Sequence, residues 1–337
     1  MLKDRIDLYK EIEKQRESKL IVYTTSDRKG LETQIASDII PIFTEHLDKI
    51  GDNGKISLFL YTRGGETLTA WSLVNLIRNF CKNFEVIIPF NCHSAGTLIS
   101  LGANNIVMTK QATLGPIDPS VNGPLNPMIP GINNPNARVP VSVEYVNAYL
   151  ELAKSELGIK DESGLANILI NLSSHIHPLT LGQVYKSKSQ IQMLAKKLLA
   201  NQKLGEEKEN EIIKFLCSES GSHDYTIHRR EAKDSLGLQI EKPSMELYSI
   251  IKAIYDDIQK ELELMTPYDP KILLANNQSV NYSFRRALIE SLYYGCNSFV
   301  SEGTLVKQTL PIGQPIPTQQ TIIQDNRTFE GWKYESI

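Results

Sequence analysis

The feature that most constrains this chain is an alternation along its first 110 residues. Short apolar, β-rich runs alternate there with stretches whose apolar residues recur at helical spacing. Leu20–Thr24, Ile56–Tyr61, Phe84–Pro89 and Asn105–Met108 read as strands. Between the first two, Leu31 to Ile50 places Ile35, Ile39, Ile40, Phe43 and Leu47 on one helical face. Thr67 to Phe80 reads as the next helix. Repetition of strand, tight turn and helix predicts parallel strands with helical crossovers, an α/β architecture.

Beyond this block, residues 116–140 carry seven prolines and two glycines. They predict a long irregular loop of the kind that lines sites. Helices are expected at Val143–Leu157, Leu165–Leu172, Leu179–Ala200, about Glu206–Leu216 and Met245–Leu264. Residues 1–17 read as a charged helical lead-in, 18–240 as the main domain, and 241–337 as a helical extension with a mixed tail.

The formal net charge is −3, which gives nucleic acid and anionic membranes no bulk attraction. No apolar run reaches the roughly 18 residues a spanning helix needs, and the N-terminus lacks a signal-peptide core, so a cytoplasmic protein is expected. Cys81, Cys92, Cys217 and Cys296 form no C-x-x-C pair and read as buried thiols. His175 and His177 are two apart, which points them to different faces of a helix. No metal site or cofactor is expected.

Two segments carry chemistry. Thr62-Arg63-Gly64-Gly65-Glu66 ends one strand, and the paired glycines let backbone approach a ligand closely. Asn91-Cys92-His93-Ser94-Ala95-Gly96-Thr97 joins the next strand to a helix. Alone, the first fits a plain turn and the second a helix-capping serine. Together they offer a nucleophile, Ser94, beside amides of Gly64, Gly65 and Ala95 that could hold an oxyanion.

A glycine pair after one strand and Ser-Ala-Gly after the next resembles the Clp protease and signal peptide peptidase A superfamily, and most of all the serine dehydrogenase proteinase family. Leu114–Pro119, His177-Pro178-Leu179 with Leu181-Gly182, and Ser222–Tyr225 running to Arg230-Glu231-Ala232 and Leu236-Gly237-Leu238 extend the resemblance over roughly 20–240. It implies a ClpP/crotonase-like spiral of ββα units with an additional helical C-terminal region. It also implies hydrolysis of peptide or unfolded-protein substrates by a serine peptidase that assembles as a homo-oligomer, with an ATP-dependent partner left open. The sequence departs from the family where Arg63 replaces the usual proline and Tyr61 the usual histidine.

The general base is open. Clp proteases carry a histidine where this chain reads Gly115-Pro116-Ile117-Asp118-Pro119. Resemblance to archaeal peptidases points to Lys154, whose amine must be desolvated to act as a base. Lys186 and Lys188 are weaker alternatives, and Asp118, His177 and His223 are accessory candidates. His93 is expected to point away from Ser94, because adjacent side chains diverge. Two other readings keep the fold: an inactive ClpP-like assembly or adaptor protein, and a crotonase-type acyl-coenzyme A enzyme.

Overall fold

The computed structural model describes residues 2–117, 120–131, 134, 136–220, 222, 224–312 and 318–336. In chain order, α1 (Leu2–Arg16), β1 (Lys19–Thr25), α2 (Ile39–Ile50), β2 (Asn53–Tyr61), α3 (Thr67–Phe80) and β3 (Cys81–Ile88) come first. Then follow β4 (Asn91–Cys92), α4 (Ala95–Leu101), β5 (Asn105–Met108) and β6 (Thr113–Leu114). The middle of the chain holds β7 (Ser120–Val121), β8 (Val141–Ser142), α5 (Val143–Glu151), α6 (Glu162–His175), α7 (Pro178–Leu199) and α8 (Glu206–Lys214). The last part holds β9 (Ile227–His228), β10 (Ile240–Glu241), α9 (Met245–Glu261), α10 (Pro270–Leu274), β11 (Ser279–Ser291), β12 (Gly295–Ile312) and β13 (Thr318–Glu335).

Two compact units result: residues 1–114 with 228–337, and residues 115–227. The first is built on an eight-stranded sheet in the order β10-β5-β3-β2-β1-β11-β12-β13. β10, β5, β3, β2 and β1 run parallel, and β11–β13 continue the sheet as antiparallel strands. The apolar runs are unbroken because both faces are covered. Leu20, Val22, Phe59, Tyr61, Ile87 and Val107 pack with Tyr9 and Ile12 of α1 and with Ile251, Ile254 and Ile258 of α9. The alternate residues Ile21, Tyr23, Leu58, Leu60, Val86 and Ile88 are equally buried, and Tyr23 meets Phe43 of α2 edge to face.

The second unit is the β7–β8 hairpin with α5–α8. Its core joins Val121, Val141, Val143, Val146 and Val184, with Leu150, Leu172, Ile176 and Leu181 packed against it. After Glu151, α5 continues in wider π-helical turns over Leu152–Glu156.

The α/β class stands: one large sheet, many helices. Two expectations do not. The periodicity over Leu31–Ile50 is not one helix; α2 begins at Ile39, and Ile35 instead bridges Gly65. The C-terminal region begins as a helix at α9, but Ser279–Ser291, Gly295–Ile312 and Thr318–Glu335 are long strands that widen the central sheet. β13 holds more Gln, Asp, Asn, Arg and Glu than apolar residues, so its strand character comes from pairing with β12 and not from local pattern.

Candidate active site

The site begins where β2 and β3 end. Tyr61, the last residue of β2, is 2% exposed and belongs to the core, and its hydroxyl donates to Asp27 at 2.7 Å. The next residue, Thr62, ties the two sequence segments together. Its N–H donates to the Asn91 carbonyl at 3.0 Å, and its carbonyl accepts from His93 N–H at 3.0 Å, a parallel bridge between Thr62 and Cys92. The bend after β2 therefore lies directly beside the bend after β3.

Gly64 and Gly65 adopt φ of 116° and 148°, values that L side chains rarely reach. Space enforces the same choice. A Cβ on Gly64 would lie 2.7 Å from the Cβ of Ser94 and 3.2 Å from the amide of Ala95. A Cβ on Gly65 would run into the backbone of Ile35. Ile35 straps the bend from the other side: its N–H donates to the Gly64 carbonyl, and its carbonyl accepts from Glu66 N–H, each at 2.8 Å. This is the pairing that removes Ile35 from α2.

Ser94 has φ 52° and ψ −113°, a strained conformation for a residue with a side chain. It is partly exposed, and its hydroxyl has no hydrogen-bond partner among the described residues. Immediately after it, Ala95 opens α4, and as an N-terminal helix amide its N–H has no acceptor among the described residues. Gly65 N–H is turned away from Ile35 by the bridge geometry and likewise has no acceptor among them. Gly64 N–H is different, because it donates to Thr62 Oγ1 at 3.0 Å. Of the three amides read from the sequence as oxyanion donors, Gly65 and Ala95 are open and Gly64 is engaged. Gly64 instead allows the bends to close on each other.

The candidates for the base come from separate elements. His93 Nε2 is 2.9 Å from Thr113 Oγ1, which also donates to Asn91 Oδ1 at 3.3 Å. Lys154 is exposed and lies in the second unit, on the π-helical turns beyond α5. His177 is the N-cap of α7, where its Nδ1 accepts from Leu179 N–H at 3.2 Å. Lys186 and Lys188 lie on the same helix, the first exposed and the second half-buried. Asp118 and His223 lie outside the described residues.

Sequence reasoning missed Thr62 and Ile35. A signal for the first was present, since a threonine two residues before a glycine is placed to accept that glycine's N–H. Ile35 had no such signal, because its partner is about thirty positions away.

A strained serine at a strand-to-helix turn, beside two amides that have no acceptor among the described residues, is an arrangement for attack on a carbonyl. Residues 1–132 match the ClpP-like SDH-type serine proteinases. That stretch contains both bends, and the match bears out the resemblance read from the sequence. Two uncharacterized proteins of Methanocaldococcus jannaschii are also similar. MJ0137 is 27% identical over 219 residues, 64% of this chain and 64% of the relative. MJ1495 is 28% identical over 185 residues, 55% of this chain and 51% of the relative. The chain thus spans just under two thirds of one relative's length and about half of the other's. Among solved structures, a serine-to-alanine variant of the 1510-N membrane-bound stomatin-specific protease aligns with a TM-score of 0.39 at 15% identity, covering 68% of this chain and 83% of that one. A lysine-to-alanine variant in complex with a substrate peptide aligns at 0.36 and 15% identity, covering 68% and 78%. Among the described residues, no helix of this chain is long and apolar enough to cross a membrane.

Proposed function

We propose that this chain is a serine peptidase that cleaves peptide bonds through an acyl-enzyme on Ser94. The observation that carries this reading is the seating of Gly64 on Ser94, flanked by the amides of Gly65 and Ala95, which have no acceptor among the described residues. In this reaction Ser94 Oγ attacks the substrate carbonyl carbon while its proton passes to a base. The carbonyl electron pair moves onto oxygen, where the Gly65 and Ala95 N–H groups hold the charge. Collapse expels the amine, which takes up the proton, and water then releases the acyl group. Removal of one such donor commonly costs on the order of 100-fold to 1,000-fold in kcat.

Lys154 is the base this reading assigns. Its amine is exposed in the single chain. A lysine serves as a base only when desolvated, so this role requires that substrate or another copy cover Lys154. The substrate class is unfolded peptide, and the working form is a homo-oligomer.

The test is labelling with a fluorophosphonate, followed by peptide mapping. The expected adduct is on Ser94, and Ser94→Ala should abolish both labelling and cleavage of an unfolded peptide. An intact, folded protein that no serine-directed reagent labels would turn the assignment over to the adaptor reading.

A further inference from the structure

A glycine pair is a poor device for holding amides in place, because it opens conformations closed to other residues. Here the preceding residue does not help. Arg63 is exposed and has no ring to fix its φ. Ile35 holds the turn on one side through the Gly64 carbonyl, and the hydrogen bonds around Thr62 show what holds the other.

The Thr62 hydroxyl is fully buried and sits between three groups. It accepts Gly64 N–H at 3.0 Å and the Thr25 hydroxyl at 2.8 Å, and its own proton is directed at the Gly64 carbonyl, 3.5 Å away. Its methyl faces Gly96 so closely that a Cβ there would come within 2.5 Å of it. Its backbone brackets Asn91 and His93. One side chain therefore touches the first bend through oxygen and the start of α4 through carbon.

We infer that Thr62 is the positioning residue of the oxyanion site: by taking Gly64 N–H it fixes the Arg63–Gly64 peptide, and together with Ile35 N–H on the Gly64 carbonyl this sets the Gly64–Gly65 plane, so that Gly65 N–H faces the same space as Ala95 N–H. Gly64 is buried, so without that acceptor its N–H would be left unsatisfied, and the Arg63–Gly64 peptide would rotate to find another partner. Ile35 holds only the far side of Gly64, through its carbonyl, and leaves the Arg63–Gly64 peptide to Thr62. This inference rests on Ser94 as the nucleophile, but its structural half stands apart from activity.

The test compares Thr62→Val, which keeps the shape and loses the acceptor, with Thr62→Ser, which keeps the acceptor and loses the methyl. The rate constant for fluorophosphonate labelling of Ser94 should fall at least thirtyfold in the valine variant and stay within threefold in the serine variant. For an oxyanion effect on a peptide substrate, kcat should carry the loss and KM should not. Exchange of the Gly64 amide is measured in parallel. Arg63–Gly64 is the only Arg-Gly pair in the chain, so carbonyl-labelled arginine with nitrogen-labelled glycine isolates its NMR signal. That exchange should speed at least tenfold in the valine variant only. Valine-variant labelling at the wild-type rate, with Ser94 labelled in both, overturns the role of Thr62 and leaves the peptidase reading intact. If wild-type Ser94 is not labelled, the peptidase reading fails, and Gly64 exchange alone decides whether Thr62 holds the turn. Should the valine variant not fold, Thr62→Ala gives the same comparison without a branched side chain in place.

Discussion

Gly64 and Ser94 stand so close that a single added carbon on the glycine would lie 2.7 Å from the serine Cβ. Gly64→Ala must therefore either strain φ at 116° or push the two bends apart. The expected outcome is a stability loss of about 1–3 kcal/mol and at least a 100-fold fall in Ser94 labelling. Denaturant titration and labelling kinetics on the same sample check both.

Ser94 holds its own strain, at φ 52° and ψ −113°. Ser94→Gly relieves it and should stabilise the fold by about 1 kcal/mol, after the entropic cost of a glycine, while abolishing labelling. Ser94→Ala also abolishes labelling but keeps a Cβ, so its stability should match the wild type. A thermal unfolding comparison of the two variants separates strain from chemistry.

A second serine looks activated and is not expected to react. Ser291 Oγ lies 2.7 Å from His46 Nδ1, and His46 Nε2 lies 3.0 Å from Asn297 Oδ1. The surroundings of this serine-histidine-asparagine row differ from those of Ser94, since Ser291 and His46 are both 0% exposed. No carbonyl substrate can reach it. Peptide mapping after saturating fluorophosphonate treatment should therefore find Ser291 unmodified.

The same histidine makes stability depend on pH. Burial lowers the pKa of His46 from 6.5 to about 4, partly opposed by its hydrogen bond with Asn297. Between those values the unfolded chain takes up a proton that the folded chain refuses. The contribution is complete above pH 6.5, and it is lost as pH falls toward 4, by about 3 kcal/mol in all. His46→Gln keeps hydrogen-bonding groups without the titration. Urea titrations at pH 7 and pH 4 should show the wild type losing about 2–3 kcal/mol more than this variant.

Arg5 on α1 is 0% exposed and pairs at 2.6 Å with Glu290 of β11, also 0% exposed. Asp257 and Glu261 of α9 also accept from it, its Nε donates to the Tyr9 hydroxyl, and Tyr9 in turn donates to Glu290. Arg5→Met leaves Glu290 buried without its cation and should cost about 3–5 kcal/mol. Arg5→Met with Glu290→Gln should recover part of that loss, as a urea denaturation cycle would show.

How much was legible follows from the range of the interactions. β5 and α3 begin and end where their periodicity does, because both are fixed by local pattern and by burial that the pattern reports. The two glycine and serine segments were legible for the same reason: glycine pairs and a strand-to-helix serine have restricted uses wherever they occur. Ile35 was misassigned because its spacing matches a helical face while its actual partner is the glycine bend. β12 and β13 were illegible because a polar strand draws its order from its neighbour's backbone, which composition does not record.

The chain's own order of residues determined the α/β alternation, the pairing of a glycine turn with Ser94, and the buried character of the parallel strands. Tertiary structure alone decided which glycine amide stays open, since that depends on a threonine hydroxyl and an isoleucine strap meeting one turn from opposite sides. It also decided that the antiparallel side of the sheet comes from the C-terminus. Hydrophobic spacing acts within a few residues and can be read along the chain, whereas a hydrogen bond's partner is chosen only when distant backbone is brought alongside.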